Sequence, residues 1–374
     1  MKKSRRNFLK TMGVAGAAAT AWSQVQGQTQ VQAQSQTPVR GNPSSGPDRS
    51  IPTAEEPIPS PFKVVPHEYE APALPPANGA WKNMRAVQQK KVIDFNAHNA
   101  ENPKQGTDEE QVKMRGQRIS SDYTPELIES MDRLGITITN LSVLGAWPQD
   151  FKTMKEAAAR YPGRFTLMAS VNEIWPRPTP PQAAKILREQ IVSGGARGLG
   201  ESGLPRYDKP EDLKPVMDMV RELDVPVYSH TGPGGTLGGE GGNYQAAWRG
   251  AERWAQLPAM YPGIKFVMNH LGGPYILDVY EWLRIAYMLN NVYMDTSKRT
   301  EPEIITKIVK ELGPERLLFA SDWNRPAAKT YGLKAFRTQY QQWLSLEAIA
   351  QADITEDDRD MILYKNAIRL LKIK

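Results

Sequence analysis

The chain has 374 residues, 40% of them hydrophobic, which suits a globular domain with a full apolar core. Its formal net charge is +6, but five basic residues lie within the first ten positions: Lys2, Lys3, Arg5, Arg6 and Lys10. The rest of the chain is therefore close to neutral, which argues against a nucleic-acid partner. Cysteine is absent, so no disulfide stabilises the fold.

The first 33 residues are predicted to be an export signal. Arg5 and Arg6 lie in the run SRRNFLK at residues 4–10, which resembles a twin-arginine signal. Residues 11–22 are weakly apolar and shorter than the roughly 20 residues of a membrane-spanning helix. The expected partner is the twin-arginine export machinery, and the expected location is periplasmic or secreted. An uncleaved anchor and an ordinary basic N-terminus are the alternatives.

Residues 34–85 are predicted to be a linker or a surface wrap. They are rich in proline, serine and glutamine and show little apolar periodicity. No apolar stretch after residue 22 is long enough to cross a membrane.

Residues 86–374 alternate short β-branched runs with longer helical runs, and they are predicted to form one domain. Eight strands are expected, at residues 92–96, 136–144, 165–171, 196–200, 225–229, 266–269, 292–295 and 317–321. Helices are expected between them, at residues 125–134, 151–161, 181–193, 210–223, 244–261, 275–290 and 301–312. This alternation predicts an α/β fold of the (β/α)8 TIM-barrel type, with an open doubly wound sheet as the runner-up.

Polar side chains stand where four of the predicted strands end. His98, His230 and His270 follow the first, fifth and sixth strands, and Asp322 follows the eighth. Because the carboxyl ends of barrel strands share one face, we expect these side chains to lie together. One histidine after a buried strand is often structural. Here three of the chain's four histidines occupy such positions, together with an aspartate. This combination favours a metal site.

Residues 91–374 resemble the amidohydrolase-related family, the branch of TIM-barrel metal-dependent enzymes that contains aminocarboxymuconate-semialdehyde decarboxylase. The resemblance is carried by VIDFNAH at 92–98, VYSHTG at 227–232, FVMNHLGG at 266–273 and RLLFASDW at 316–323. It implies that His98, His230 and Asp322 bind a divalent metal ion. It also implies that His270 is either a catalytic acid/base or a transition-state stabiliser, that Asp322 accepts a proton, and that a homodimer is possible.

One position departs from the family's pattern. The family's first strand ends in His-x-His, and Asn96 stands at the first of these two positions. An amide oxygen is a weak, hard ligand, so the affinity for zinc should fall and a harder ion such as manganese becomes more plausible, which leaves zinc or manganese as the expected ion. Glu201, after the fourth strand, is a candidate for the missing ligand, although an ordinary salt bridge with Arg197 or Arg206 is equally compatible with the sequence. A metal-free pocket is the remaining alternative.

Three further residues are candidates for substrate binding. Arg197 and Arg325 could hold a substrate carboxylate, and Trp323 could line an apolar pocket. The leading hypothesis is an exported metal-dependent hydrolase that cleaves a C–N or C–O bond of a small organic substrate. The first alternative is a non-oxidative metal-dependent decarboxylase. The second alternative is a non-catalytic binding protein on a degenerate scaffold of this family.

Overall fold

The computed structural model describes residues 79–101, 121–142, 151–171, 174, 178–201, 204, 209–231, 250–272, 276–297, 299, 301–323 and 341–374. The predicted export signal, most of the predicted linker and Arg325 lie outside these ranges. Within them, no helix combines the length and apolar character needed to cross a membrane.

The strands of the described residues form two parallel sheets and one antiparallel pair. They are β1 (Val92–Ala97), β2 (Ala100–Glu101), β3 (Ser121–Asp122), β4 (Ile136–Leu141), β5 (Phe165–Leu167), β6 (Val227–Ser229), β7 (Phe266–Met268), β8 (Val292–Asp295) and β9 (Leu317–Leu318). The parallel sheets have the strand orders β1-β4-β5 and β6-β7-β8-β9, and β2 pairs with β3 in the antiparallel sense.

Single parallel bridges join the two sheets into a closed barrel. Leu199 bridges Ala169, just beyond β5, on one side and Val227 of β6 on the other. Ala97 of β1 bridges Trp323, beyond β9. The residues 196–200 therefore take the fourth place in the barrel, and all eight predicted strands follow one another in chain order. This confirms the predicted (β/α)8 barrel.

Helices follow the strands along the chain. The α-helices of the described residues are α1 (Arg85–Gln88), α2 (Thr124–Leu134), α3 (Phe151–Arg160), α4 (Pro180–Val192), α5 (Lys214–Leu223), α6 (Gly250–Met260), α7 (Ile276–Met288), α8 (Pro302–Leu312), α9 (Gln341–Gln351), α10 (Glu356–Asp360) and α11 (Asn366–Leu371). Short 3₁₀ turns occur at Ala80–Asn83, Pro210–Leu213, His270–Gly272 and Pro314–Arg316, and a π turn at Met361–Lys365. Proline in the first turn of α2, α4, α5 and α8 suits a helix start, where no backbone N–H is needed.

Apolar side chains fill the inside of the barrel below the strand ends. Phe95 and Tyr228 pack edge to face with ring centroids 5.5 Å apart, although their strands lie opposite each other in the barrel order. Both side chains therefore point inward, and Met168, Val267 and Leu318 belong to the same buried cluster. A second cluster holds the buried faces of the surrounding helices. The floor of the barrel is thus a packed core, and the polar residues lie above it.

The structure differs from the prediction mainly at the fourth strand. Residues 196–200 form bridges only at Leu199, although Arg197, Gly198 and Gly200 also hydrogen-bond to the backbone of Leu167 and Ala169. Gly198 and Gly200 lie against neighbouring strands with no room for a side chain. A Cβ added at Gly200 would come within 2.9 Å of the Tyr228 Cβ. The helix predicted at 210–223 is divided into a 3₁₀ turn and α5, and the β2–β3 pair was not predicted.

Candidate active site

The barrel places the predicted site residues at the carboxyl ends of its strands. His98 follows β1, His230 follows β6, His270 follows β7, and Asp322 lies four residues beyond β9. Glu201 follows the short fourth strand. All are buried except His230, whose side chain is 27% exposed. The predicted clustering of these residues is therefore what the structure shows.

His98, Glu201 and Asp322 form one compact group of donor atoms. His98 Nε2 lies 3.0 Å from Asp322 Oδ1 and 3.1 Å from Glu201 Oε2. His98 Nδ1 lies 2.8 Å from the Ser142 carbonyl, which can only accept, so Nδ1 carries a proton and Nε2 faces the carboxylates. Burial alone would lower the pKa of His98, but its hydrogen bonds to Asp322 and Glu201 raise that pKa to about 10. The group therefore favours a positive charge at this point, either a proton or a cation.

The other oxygen of Glu201 belongs to a second group. Glu201 Oε1 contacts His230 Nδ1 and lies 3.5 Å from His270 Nε2. The two imidazole rings meet edge to face with centroids 5.0 Å apart. Burial would raise the pKa of Glu201, but the neighbouring His230 outweighs it and holds that pKa well below its usual range. Glu201 is therefore an ionised carboxylate surrounded by imidazoles.

Asn96 acts in this structure as a hydrogen-bond donor to the carboxylates. Its Nδ2 lies 3.0 Å from Glu201 Oε2 and 3.4 Å from Asp322 Oδ1, and its Oδ1 accepts from the Ser142 hydroxyl. Ionised carboxylates can only accept hydrogen bonds, so the amide nitrogen must be the atom that faces them. The amide oxygen, which the sequence made a candidate ligand, points to Ser142 instead.

A buried polar chain behind His270 was not found by sequence reasoning. Ser297 Oγ lies 2.7 Å from His270 Nδ1, 2.6 Å from Asp295 Oδ1 and 2.7 Å from Asn269 Oδ1. Tyr228 Oη donates to Asp295 Oδ2 at 2.6 Å. Burial raises the pKa of Asp295 to about 7, against the hydrogen bonds from Ser297 and Tyr228. Asp295 ends β8, so its strand-end position was the available signal.

The backbone of two site residues lies in the left-handed region. His270 has φ 63° and Asp322 has φ 54°, and Leu271 follows His270 with φ 49°. The buried Arg299 donates from Nε to the His270 carbonyl and from Nη2 to the Leu271 carbonyl, both at 3.2 Å. Arg299 thus holds the turn that carries His270.

The buried carboxylate of Asp94 joins β1 to the residues that follow β9. Asp94 Oδ2 accepts from Ser321 Oγ at 2.6 Å and from Gln342 Nε2 at 2.9 Å, and Asp94 Oδ1 accepts from Ser321 N at 2.9 Å. Burial raises the pKa of Asp94 to about 6, although these hydrogen bonds oppose the shift. This network fixes the backbone just before Asp322.

The three candidates for substrate binding have different outcomes. Arg197 is exposed and lies four residues before Glu201, so the structure does not bring it to the carboxyl end of its strand. Trp323 is 2% exposed and packs in the core, while its carbonyl accepts from His98 N at 2.8 Å. Its ring therefore fills the core beside the site. Arg325 lies outside the described residues.

The donor set fits a divalent ion. In each of the groups His98–Glu201–Asp322 and Glu201–His230–His270, one ligand atom per residue lies within 4.8 Å of the others. Two ligands bound at about 2.1 Å and at right angles lie about 3.0 Å apart, close to the 3.0 and 3.1 Å separations around His98 Nε2. Imidazole nitrogens and carboxylate oxygens suit zinc or manganese.

Sequence comparison finds a related decarboxylase. Gamma-resorcylate decarboxylase of Polaromonas sp. (strain JS666 / ATCC BAA-500) is 25% identical over 211 residues, 46% of this chain. The chain spans only 63% of that relative's length.

Two solved structures share the fold. One is 5-carboxyvanillate decarboxylase from Novosphingobium aromaticivorans DSM 12444, complexed with manganese and 4-hydroxy-3-methoxy-5-nitrobenzoic acid. It is 17% identical in sequence, and the match covers 78% of this chain and 98% of that chain with a TM-score of 0.53. The other is 5-carboxyvanillate decarboxylase from Sphingomonas paucimobilis, which is 18% identical in sequence. The match covers 76% of this chain and 99% of that chain with a TM-score of 0.52.

Two sequence families match the chain. The twin-arginine translocation signal matches residues 4–22, which confirms the predicted export signal. The amidohydrolase family model matches residues 93–373, about three quarters of the chain, and with the fold it confirms the resemblance carried by the four strand-end motifs. The chain belongs to the amidohydrolase family and carries a twin-arginine export signal.

Proposed function

We propose that this protein is a metal-dependent decarboxylase that acts on a small hydroxylated aromatic acid in the periplasm or outside the cell. The observation that carries the proposal is the buried cluster of two carboxylates and three imidazoles at the barrel mouth. The relative from Polaromonas, a decarboxylase by name, supports the alternative hypothesis of decarboxylation over the leading hypothesis of hydrolysis. Manganese, present in the structure from Novosphingobium, is the ion we propose.

Decarboxylation replaces a carboxylate with a proton. The bond between the ring carbon and the carboxylate breaks, carbon dioxide leaves, and a proton adds to the same carbon. His98, Glu201 and Asp322 would hold the ion, with their donor atoms as close as ligands of one coordination sphere. A bound divalent ion supplies charge neutralisation and a fixed position for substrate oxygens.

Asp322 and His270 are the residues that we assign to proton transfer. Asp322 Oδ2 lies 3.9 Å from His270 Nε2, and both side chains are buried. Ser297 holds the opposite ring nitrogen of His270, so Nε2 faces the site. When His270 takes up a second proton, on Nε2, and the 3.9 Å separation closes to hydrogen-bond distance, Asp322 would receive that proton and deliver it to the ring carbon as carbon dioxide leaves.

Product analysis tests the proposed reaction. The purified protein with manganese is incubated with 2,6-dihydroxybenzoate and, separately, with 5-carboxyvanillate. We expect one carbon dioxide released for each substrate molecule consumed. Incorporation of oxygen from ¹⁸O-labelled water into the product of an ester or amide, without carbon dioxide release, would support the hydrolase instead. Tight binding of these acids without any turnover would support the binding protein.

Two substitutions test the proton-transfer assignment. Asp322→Asn keeps the shape of the side chain but removes its ionisable group, and we expect turnover to fall by roughly 100-fold or more. His270→Asn removes the imidazole and should have an effect of similar size. The control is Asp353→Asn, whose side chain is 85% exposed and should leave turnover unchanged. Thermal unfolding confirms that the variants fold. Near-normal turnover in both site variants would refute the assignment.

A further inference from the structure

We infer that the pole of the barrel opposite the candidate active site binds an anionic phospholipid surface. This pole lies at the amino ends of the strands, where the C-terminal helix α11 closes the barrel. Ala367, Leu370 and Leu371 of α11 belong to the buried cluster inside the barrel, together with Ile93 of β1. The surface around the outer side of α11 is called the basal face, and its residues are Lys90, Lys91, Lys265, Arg316, Lys365, Ile368, Arg369, Lys372 and Lys374.

Shared neighbours bring the cations of the basal face together in pairs. Lys265, which directly precedes β7, and Lys372, which directly follows α11, both bind Asp224. The distances from their Nζ atoms to the two carboxylate oxygens are 2.7 and 2.9 Å. Hydrogen bonds from Lys265 and Lys372 hold the pKa of Asp224 below its usual value. One carboxylate thus serves two lysines, and one positive charge is left over.

A second pair, Lys91 and Lys365, meets at the ring of Tyr364. The ring centroid lies 5.9 Å from Lys91 Nζ and 5.7 Å from Lys365 Nζ. An aromatic face attracts cations but carries no net charge, so the ring holds the two lysines without neutralising them. Asp360 lies 3.5 Å from Lys365 Nζ, but this carboxylate is buried and also pairs with Arg85 at 2.6 Å. The second pair therefore also keeps an excess of positive charge.

A third pair, Arg316 and Arg369, meets at the ring of Tyr293. The Cζ atoms of the two arginines lie 5.6 and 5.8 Å from the ring centroid. Both guanidinium groups donate to uncharged acceptors, Arg316 to the Leu289 carbonyl and Arg369 to the Glu315 carbonyl, each at 2.8 Å. These contacts fix the two side chains but leave their charges in place.

The outer side of α11 combines this charge with an exposed apolar side chain. Lys365, Ile368, Arg369 and Lys372 recur at the spacing of one helix face, and Ile368 is 37% exposed. An apolar residue surrounded by lysines and arginines is typical of helices that lie in the interface of an anionic membrane. The long stems of these cations can cover the isoleucine while their charged ends reach the lipid phosphates.

The export signal explains why the partner is a phospholipid surface. The twin-arginine signal directs the chain across a membrane, so the bilayer is the anionic surface beside the exported protein, whereas nucleic acid remains in the cytoplasm. Binding through the basal face leaves the barrel mouth facing away from the bilayer, where dissolved small molecules can reach it.

Co-sedimentation with lipid vesicles tests the inference. The exported protein is mixed with vesicles of phosphatidylglycerol and, separately, of phosphatidylcholine, at low and at high salt. We expect binding to the anionic vesicles alone, and weaker binding as salt screens the charges. Equal binding to the two lipids, or binding to phosphatidylglycerol that salt does not weaken, would overturn the inference. Binding to duplex DNA without binding to vesicles would also overturn it.

A triple variant tests whether the basal face is the surface that binds. Lys365→Gln, Arg369→Gln and Lys372→Gln together remove three charges from the outer side of α11. Each cation close to an anionic bilayer contributes roughly fivefold to the binding constant, so we expect binding to phosphatidylglycerol vesicles to weaken by about tenfold or more. Thermal unfolding confirms that the variant folds.

The matched control removes the same charge from another part of the barrel surface. Lys152→Gln, Lys155→Gln and Lys185→Gln change exposed side chains of α3 and α4, and this variant should bind vesicles as the wild type does. Both triple variants keep the same N-terminal segment, so the basic residues of the export signal cannot cause a difference between them. Equal vesicle binding by the two triple variants would refute the basal face as the binding surface.

Discussion

The hydroxyl of Ser297 determines which ring nitrogen of His270 carries a proton. Its neighbours Asp295 Oδ1 and Asn269 Oδ1 are acceptors, so the single hydroxyl proton goes to one of them. Towards His270 the hydroxyl must then accept, which places a proton on Nδ1 and turns Nε2 towards Glu201 and Asp322. Ser297 is therefore a positioning residue for the histidine that we assign to proton transfer.

Removing this hydroxyl should leave His270 with mixed tautomers. For Ser297→Ala we expect kcat to fall by about tenfold with little change in KM. Ser297→Thr retains the hydroxyl and should restore most of the activity. The ¹⁵N shifts of the imidazoles, measured on chelator-treated protein, report the tautomer directly. The chain has only four histidines, so His270 can be assigned by its loss in His270→Asn. An unchanged tautomer in Ser297→Ala would show that Asp295 and Ser297 are only structural.

The sequence predicted which residues meet, but not how their atoms face one another. His98, His230, His270, Glu201 and Asp322 were found because each follows a strand, and barrel geometry brings strand ends together. Their contacts join residues far apart in the chain, such as the 105 positions between Asn96 and Glu201. Side-chain orientation at that range depends on packing, which no local pattern records.

Arg197 illustrates the same point for direction along a strand. It was a candidate for substrate binding because it flanks the fourth strand, yet it lies at the start of that strand and is exposed. It lies four positions before Glu201, and a strand rises about 3.3 Å per residue. The opposite ends of one strand thus serve different faces of the barrel, and only the carboxyl end reaches the site.

At the scale of elements, most helices and strands followed from local chemistry. α2 has a proline in its first turn and ends at Leu134, and Gly135 with φ 72° is its left-handed cap. The strands β2 and β3 were missed, because these two-residue segments are too short to show alternation. The fourth strand was predicted in the right place although its bridges lie at Leu199 alone.

Asp122, in β3, anchors the start of α2. Its Oδ1 accepts from Thr124 N at 3.0 Å and from the Thr124 hydroxyl, and its Oδ2 pairs with Arg160. Partial burial would raise the pKa of Asp122, but the hydrogen bonds from Thr124 and the charge of Arg160 lower it below the usual 3.8. The carboxylate therefore stabilises the fold above pH 3.8, and this contribution is lost as the pH falls through the lower folded-state pKa.

Replacing this aspartate should lower the free energy of unfolding by an amount that depends on pH. We expect Asp122→Ala to lower the free energy of unfolding by about 1 kcal/mol at pH 7, since solvent weakens the pair with Arg160 and the helix start carries most of the effect. The difference from wild type should shrink as the pH falls below 4. Asp122→Asn, which keeps an acceptor for Thr124, is the control and should cost less. Urea unfolding of chelator-treated protein at pH 7 and at a pH below 4 provides the measurement. A loss of unfolding free energy that is the same at the two pH values would exclude the ionised carboxylate as its source.

At the scale of the whole molecule, the barrel follows a twin-arginine signal that matches residues 4–22. The strong local charge of that segment is separate from the near-neutral remainder of the chain. We therefore expect export to depend on the arginine pair rather than on overall basicity.

Exchanging the pair for lysines tests this dependence. Arg5→Lys with Arg6→Lys keeps the charge but removes the guanidinium groups, and we expect at least a tenfold loss of exported protein with precursor accumulating in the cytoplasm. Lys2→Arg with Lys3→Arg changes neighbouring residues and should be exported normally. Cell fractionation and the size of the protein on a gel give the readout. Normal processing of the double lysine variant would assign export to another pathway.

The left-handed turns at His270 and Asp322 restrict how this active site can evolve. Apart from glycine, the residue types best tolerated at positive φ are histidine, asparagine and aspartate. Other types cost about 1–2 kcal/mol there. The codons for these three residue types differ from one another only in the first base. Single mutations can therefore exchange imidazole, amide and carboxylate at both positions without rebuilding the backbone. The barrel mouth can thus sample new metal and proton chemistries while its fold is preserved.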